Sequence, residues 1–109
     1  MISIQDFDKL VIRVGTIEKA QTFPEAKKPA YKVRIDFGPY GKKWSSAQIT
    51  ENYAIDGLLG RRICAAMNLG KKKIGPFTSE VLIMGAEDNN GHIVLLEPEN
   101  SIKNGAKAN

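Results

Sequence analysis

Residues 31–38, Tyr-Lys-Val-Arg-Ile-Asp-Phe-Gly, alternate apolar and charged side chains without a break. In an extended chain successive side chains point to opposite faces. Tyr31, Val33, Ile35 and Phe37 therefore share one face, and Lys32, Arg34 and Asp36 the other. A helix would scatter the same residues around its circumference. The segment predicts a β-strand with one dry and one wet face, and any fold for the chain has to cover that dry face. Gly38-Pro39-Tyr40-Gly41 then turns the chain.

Related patterns recur on both sides. Residues 11–17 are β-branched and partly alternating, with Gly15 predicting a bulge or sharp bend. Residues 42–49, 61–69, 81–86 and 93–96 are further strand candidates, the last two joined by a turn at Asp88-Asn89-Asn90-Gly91. Two prolines make residues 23–29 a loop, and residues 70–76, with three consecutive lysines between glycines, a second one. Ser3 followed by Asp6 predicts a capped helix over about residues 4–9 that presents Phe7 and Leu10 on one side. A short helical turn over residues 51–59 closes at Gly60.

Five or six short strands with one helix before the fourth favour an all-β fold: a five-stranded Greek-key barrel of the OB type, with a short N-terminal helix and a C-terminal extension. An SH3-like barrel or a small sandwich shares the same periodicity. At 109 residues the chain has room for one domain, residues 1–109, and one core.

Most catalytic chemistry is excluded by inventory. Cys64 and His92 are the only residues of their kinds, so a disulfide framework and the common zinc sites cannot be assembled. His92 lies beside Gly91 at a turn, and Cys64 alternates with alanines as a small packing residue. Gly70 and Gly75 have the spacing of a phosphate loop, but Pro76 stands where Lys is required. The expectation is a protein without enzymatic activity, cofactor or metal. No apolar run approaches ~20 residues, and the first residues lack a basic segment followed by an apolar one. With a single cysteine this predicts a soluble cytoplasmic protein that does not insert into membranes.

Charge points to a partner. Residues 27–73 hold eleven basic and three acidic residues, whereas the flanks hold five basic and nine acidic, so an overall charge of +4 conceals a segregated field. Such a field draws polyanions to one part of a surface. Lys71, Lys72 and Lys73 on a glycine-flanked loop can meet phosphates, and Arg61 and Arg62 begin the strand leading to it. Lys32 and Arg34, with Lys42 and Lys43 beyond the next turn, extend the track. Asn68 can read a base edge or brace the loop. Trp44, Tyr40 and Tyr53 are available for base stacking or for covering the barrel ends. Phe23, Pro76 and Phe77 are candidates for an apolar groove that binds polypeptide.

Several strings carry a family resemblance: residues 11–17 (Val-Ile-Arg-Val-Gly-Thr-Ile), the Phe23-Pro-Glu-Ala-Lys-Lys-Pro loop, Ser45-Ser46-Ala-Gln-Ile-Thr50, Asn68-Leu69 and Ile74-Gly-Pro-Phe77 with Ser79-Glu80. They resemble the CsaA family, the bacterial branch of the tRNA-binding OB-fold proteins, which also supplies a C-terminal module to some methionyl-tRNA synthetases. The resemblance spans nearly the whole chain. It implies an OB-fold homodimer without enzymatic activity, a tRNA-binding surface, and a chaperone role toward unfolded or precursor polypeptides and the export machinery. By position it carries RNA-binding roles onto Asn68, Lys73, Ser79 and Ser46, and Glu80 beside Ser79 is counted with them. The Ser-Glu-Gly-Met signature of the wider family reads Ser79-Glu80-Val81-Leu82 here, as fits the CsaA branch. The apolar helix turn (Ile4, Phe7, Leu10) and the extension after Pro98 exceed what one barrel needs, which adds a physical reason for pairing.

Overall fold

A computed structural model describes residues 1–99 and 101–109. Helix α1 (Ile4–Lys9) begins as the sequence predicts, with the Ser3 hydroxyl accepting from the Asp6 amide and the Asp6 carboxylate accepting from the Ser3 amide. Strands β1 (Ile12–Thr22), β2 (Tyr31–Asp36) and β3 (Lys42–Ala47) follow, with a 3-10 turn (Gly38–Tyr40) before β3. Helix α2 (Ile55–Leu58) precedes β4 (Arg62–Ala66). Then come β5 (Lys72–Ile74), β6 (Phe77–Ser79), β7 (Leu82–Ile83), β8 (Gly85–Glu87) and β9 (Ile93–Leu95).

The main sheet has the order β3-β2-β1-β4-β7, and the hairpins β5–β6 and β8–β9 stand beside it. Strand β1 serves two neighbours in succession. Its first half pairs antiparallel with β4, from Ile12 opposite Ala66 to Thr16 opposite Arg62; its second half pairs with β2 as far as Thr22 opposite Tyr31. The sheet curls until β3 approaches β6 and β7, where the Trp44 carbonyl accepts from the Glu80 amide at 2.8 Å. The result is an all-β, nearly closed five-strand barrel with two short helices.

The alternation in β2 fills the barrel as predicted. Val33, Ile35 and Phe37 are fully buried with Ile17, Ile63 and Leu58, the last supplied by α2 as a plug. Complete burial of side chains this size contributes roughly 1.5–3 kcal/mol each. Tyr31 is half-buried, with its hydroxyl donating to the Tyr53 carbonyl at 2.8 Å. The Tyr53 hydroxyl in turn accepts from the Leu95 amide at 2.9 Å, so Tyr53 is fixed by the barrel end.

Several local expectations are corrected. Gly15 marks no bulge: a Cβ there would lie 2.5 Å from Ile35 Cγ2 and 2.7 Å from the Phe37 ring, so glycine permits close packing across the barrel. The bulge falls three residues later, where the register skips from Ile17 to Lys19. The lysine loop is partly a hairpin, β5–β6, turned by Gly75 (φ +60°) and Pro76. The expected strand over residues 81–86 breaks at Met84, whose amide still bonds the Cys64 carbonyl while its own carbonyl accepts from Leu96. The chain passes there from the barrel into β8–β9. The expected helix over residues 51–59 shrinks to Ile55–Leu58, a single turn that relies on packing rather than length.

The C-terminal segment folds back onto its own barrel. The Gly105 amide donates to the Val14 carbonyl, the Val14 amide to the Ala106 carbonyl and the Ala108 amide to the Ile12 carbonyl, at 2.7–2.9 Å. This covers the edge of β1 that β2 has left free. Helix α1 buries none of its residues, and Ile4 is 66% exposed.

Candidate nucleic-acid interface

The basic residues divide by what their side chains already touch. Lys27, Lys28, Lys71, Lys72 and Lys73 are exposed and make no side-chain hydrogen bond or ion pair with a described residue. Four of them line one open groove of about 570 Å³: Lys27 and Lys28 from the proline loop, Lys72 and Lys73 from β5, with the acidic Glu25, Ser46 and Gln48 also in its lining. Lys71 and Lys43 line a second hollow of about 250 Å³ with Asn68 and Glu80. Ammonium groups on flexible stems in an open groove can reach phosphates without first breaking a bond to the protein.

The hairpin that presents these lysines is held by residues nominated for RNA contact. The Ser46 amide donates to the Ser79 hydroxyl at 3.0 Å, and the Trp44 amide donates to the Glu80 carboxylate at 3.1 Å. Ser79 and Glu80 thus satisfy the outer edge of β3, where a ladder partner would otherwise be required. Asn68 is bonded within the chain through both polar atoms of its side chain. Its Oδ1 accepts from the Val11 amide at 2.9 Å and its Nδ2 donates to the Lys9 carbonyl at 2.7 Å, tying the end of β4 to the junction of α1 and β1.

Beside the groove lies an aromatic cluster. Phe77 meets Phe23 edge-on at 5.2 Å between centroids and Trp44 at 5.9 Å. Lys32 sits 5.5 Å from the Phe23 ring and 5.9 Å from the Phe77 ring, and Arg34 lies 5.8 Å from Trp44. Pro76 and Phe77 line a shallow hollow with Lys32 and Trp44. Phe23 is buried, so of the three residues nominated for an apolar groove only Pro76 and Phe77 offer surface.

Of the other cations, Arg34, Lys42, Arg61, Arg62 and Arg13 are engaged, whereas Lys19, Lys103 and Lys107 are exposed, away from the groove lining, and without a side-chain partner among the described residues. Glu18 takes Arg34 Nε at 2.5 Å and Lys42 Nζ at 3.1 Å. The Lys42 hydrogen bond, with Arg34 behind it, holds the Glu18 carboxyl below its ordinary range against the opposing effect of burial. Arg61 donates to the Gly57 carbonyl, pairs with Glu97 at 2.8 Å and lies over Tyr53 at 5.0 Å. Arg62 donates to the Ile102 carbonyl and to Asn104 Oδ1. Arg61 precedes β4 and Arg62 opens it, whereas Asn68 and the lysines follow its far end, so the barrel separates the two groups. Tyr40 carries Arg13 against its ring at 3.6 Å.

Sequence reasoning counted Lys27 and Lys28 as charge but did not place them in a site, and it overlooked Gln48. Nothing in the local pattern of residues 23–29 shows that this loop lies against the hairpin; the signal available was two adjacent lysines flanked by prolines. Cys64, weighed for catalysis, is half-buried with its thiol pKa raised by that burial, and in the turn before His92 the Asp88 carboxylate is held by the Asn52 side chain and the His92 and Asn90 amides. Among the described residues no three His, Cys, Asp or Glu side chains group so as to hold a metal, and no helix is long and apolar enough to cross a membrane.

The family described as "Putative tRNA binding domain" matches residues 12–107. Methionine–tRNA ligase of Parabacteroides distasonis is 34% identical over 97% of this chain, and that of Methanocaldococcus jannaschii 32% identical over 97%. The chain spans only 15% and 16% of those enzymes. Among solved structures, the CsaA chaperone of Picrophilus torridus is 46% identical, with a TM-score of 0.94 and all of both chains covered. The CsaA chaperone of Bacillus anthracis is 42% identical at the same TM-score, covering 100% of this chain and 99% of the other. With the family match running over nearly its whole length, the chain belongs to the tRNA-binding domain family and shares the fold of the CsaA chaperones.

Proposed function

We propose that this protein is a non-enzymatic tRNA-binding module that holds the phosphodiester backbone along the groove formed by Lys27, Lys28, Lys72 and Lys73, with Lys43 and Lys71 in the second hollow. The observation that carries this reading is the convergence of unpaired lysines from two loops distant in sequence. Backbone contact by point charges gives affinity without base reading, as suits recognition of RNA by shape. Asn68, Ser46, Ser79 and Glu80 act by positioning the hairpin. Trp44, beside the groove and half-buried, is the aromatic residue best placed to meet a splayed base.

The module acts in the cytoplasm as a homodimer. The exposed Met1, Ile2 and Ile4 around α1 form the surface that pairing would cover, and two copies of the groove would raise avidity for one long RNA. Sedimentation should give twice the 12.0 kDa of one chain; a concentration-independent 12.0 kDa species rejects the dimer.

A second reading is favoured by the cluster of Phe77, Pro76 and Trp44 and by the fold shared with the CsaA chaperones: capture of unfolded or precursor polypeptides for export. Anisotropy of labelled tRNA, competed by unlabelled tRNA and by an unfolded client, separates the two. Binding that Lys71→Ala, Lys72→Ala and Lys73→Ala together weaken supports the tRNA reading. Suppressed aggregation of the client, indifferent to tRNA and to those substitutions, moves the function to polypeptides.

A further inference from the structure

The bulge in β1 leaves Glu18 as the extra residue, since Ile17 pairs with Ile35 and Lys19 with Arg34. A bulge re-aims the side chain it carries. Here it brings a carboxylate between two cations, with Oε2 on Arg34 and Oε1 on Lys42, and only 21% of the side chain exposed. Both oxygens are committed, and a carboxylate gripped by a guanidinium and an ammonium group presents much the same acceptor geometry as two oxygens of a phosphate.

The register shows where this cluster lies. Ser46, in the lining of the lysine groove, is opposite Lys32; Trp44 is opposite Arg34; Lys42 is opposite Asp36. Alternation puts Lys32 and Arg34 on the outward face of β2, with Ser46, Trp44 and Lys42 on that of β3. A continuous path therefore leads from the groove over Lys32 to Arg34 and Lys42, and its far end is occupied by the chain's own anion.

We propose that Glu18 masks a second phosphodiester-binding site, formed by Arg34 and Lys42, and so confines bound RNA to the lysine groove. This rests on the tRNA reading above and adds to it a residue that limits affinity. RNA phosphate and the Glu18 carboxylate compete for the same two cations. Removing the carboxylate frees both without altering the groove, and Arg34 retains Trp44 at its side.

The test is tRNA binding to the full-length protein across a salt series, for the wild type, Glu18→Gln and Lys72→Ala/Lys73→Ala, with Arg34→Ala and Lys42→Ala, singly and together, in both the wild-type and Glu18→Gln backgrounds. Two extra contacts at about 0.7 each predict that Glu18→Gln steepens the salt slope by about 1.4 and raises affinity up to about 25-fold at 0.1 M salt. Arg34→Ala and Lys42→Ala should each change wild-type affinity less than about twofold; in the Glu18→Gln background each should cut the gain to about fivefold, and the two together should abolish it. Unchanged or weaker binding by a folded Glu18→Gln protein overturns the proposal, since the carboxylate would then be idle or would be orienting Arg34 for RNA. If that variant does not fold, Arg34→Ala in the wild type decides alone: a large loss overturns the mask, no loss supports it. Loss of binding in Lys72→Ala/Lys73→Ala with no response at Glu18 rejects the mask only, whereas no response in the lysine variant rejects the tRNA reading itself.

Discussion

Two sets of cations on this barrel have similar composition and opposite availability. Lys27, Lys28, Lys72 and Lys73 project into an open groove with no partner among the described residues. Arg61 and Arg62, at the other end of β4, bind the Gly57 and Ile102 carbonyls, Glu97 and Asn104. The first set can exchange water and counterions for a ligand directly; the second would have to surrender bonds that hold Glu97 and residues 102–104 against the barrel. A charge count treats the two alike. What separates them is whether the chain has already supplied the counter-ion or acceptor.

The largest expected effect breaks or upholds that distinction outright. Replacing Lys71, Lys72 and Lys73 with alanine should lower tRNA affinity about 100-fold at 0.1 M salt, taking roughly 0.7 in the salt exponent for each of three contacts. Replacing Arg61 and Arg62 should change it less than about threefold. Equal losses in the two variants, measured by anisotropy under one salt condition, would erase the difference between the regions.

Stability should show the reverse order. Arg61→Ala and Arg62→Ala should each cost about 1 kcal/mol, read as a fall of several degrees in Tm, because each leaves acceptors near the C-terminal segment without a donor. The lysine variants should melt within about a degree of the wild type. Asn68 sharpens the comparison, since it lies next to the lysines in sequence yet is engaged like the arginines. Asn68→Ala should lower stability by about 1 kcal/mol through the lost bonds to the Val11 amide and Lys9 carbonyl while affecting tRNA affinity only mildly.

Ser45 supplies the opposite extreme, a polar group that is buried and without a partner. Its hydroxyl has no hydrogen bond among the described residues, and the residue is 1% exposed. Ser45→Ala should therefore be neutral or raise stability by up to about 1 kcal/mol, whereas a clear loss in thermal melting would mean that the hydroxyl is satisfied in solution. Acid tests the engaged carboxylates together. Asp6, Glu18 and Asp88 all titrate below their ordinary values when folded, so their contribution is complete above about pH 4.5 and is lost as pH falls through the folded values. A Tm that stays flat from pH 6 down to about 3 would contradict those pairings.

The barrel was legible in the sequence because its strands carry a period that survives any register. Tyr31 to Phe37 announce their buried face, and Ser3 with Asp6 announces a helix start. The corrections fall where tertiary contact overrides local signal. Gly15 reads as a bulge in isolation, but its missing side chain makes room for Ile35 and Phe37, and the true bulge at Glu18 has no local mark. The site was legible as composition and not as geometry. Lysines in a row are visible, while the return of the proline loop onto β5, the pairing of Arg34 and Lys42 with Glu18, and the bracing role of Asn68 all depend on contacts between residues far apart in the chain.

The central claim is that four unpaired lysines form one phosphate-binding groove. The most direct measurement is the dependence of log Kd for tRNA on log salt in the wild type and in a protein with Lys27, Lys28, Lys72 and Lys73 all replaced by alanine. The four substitutions are expected to remove about 2.8 from the magnitude of the slope, roughly 0.7 for each contact. A slope unchanged by the four substitutions would contradict it.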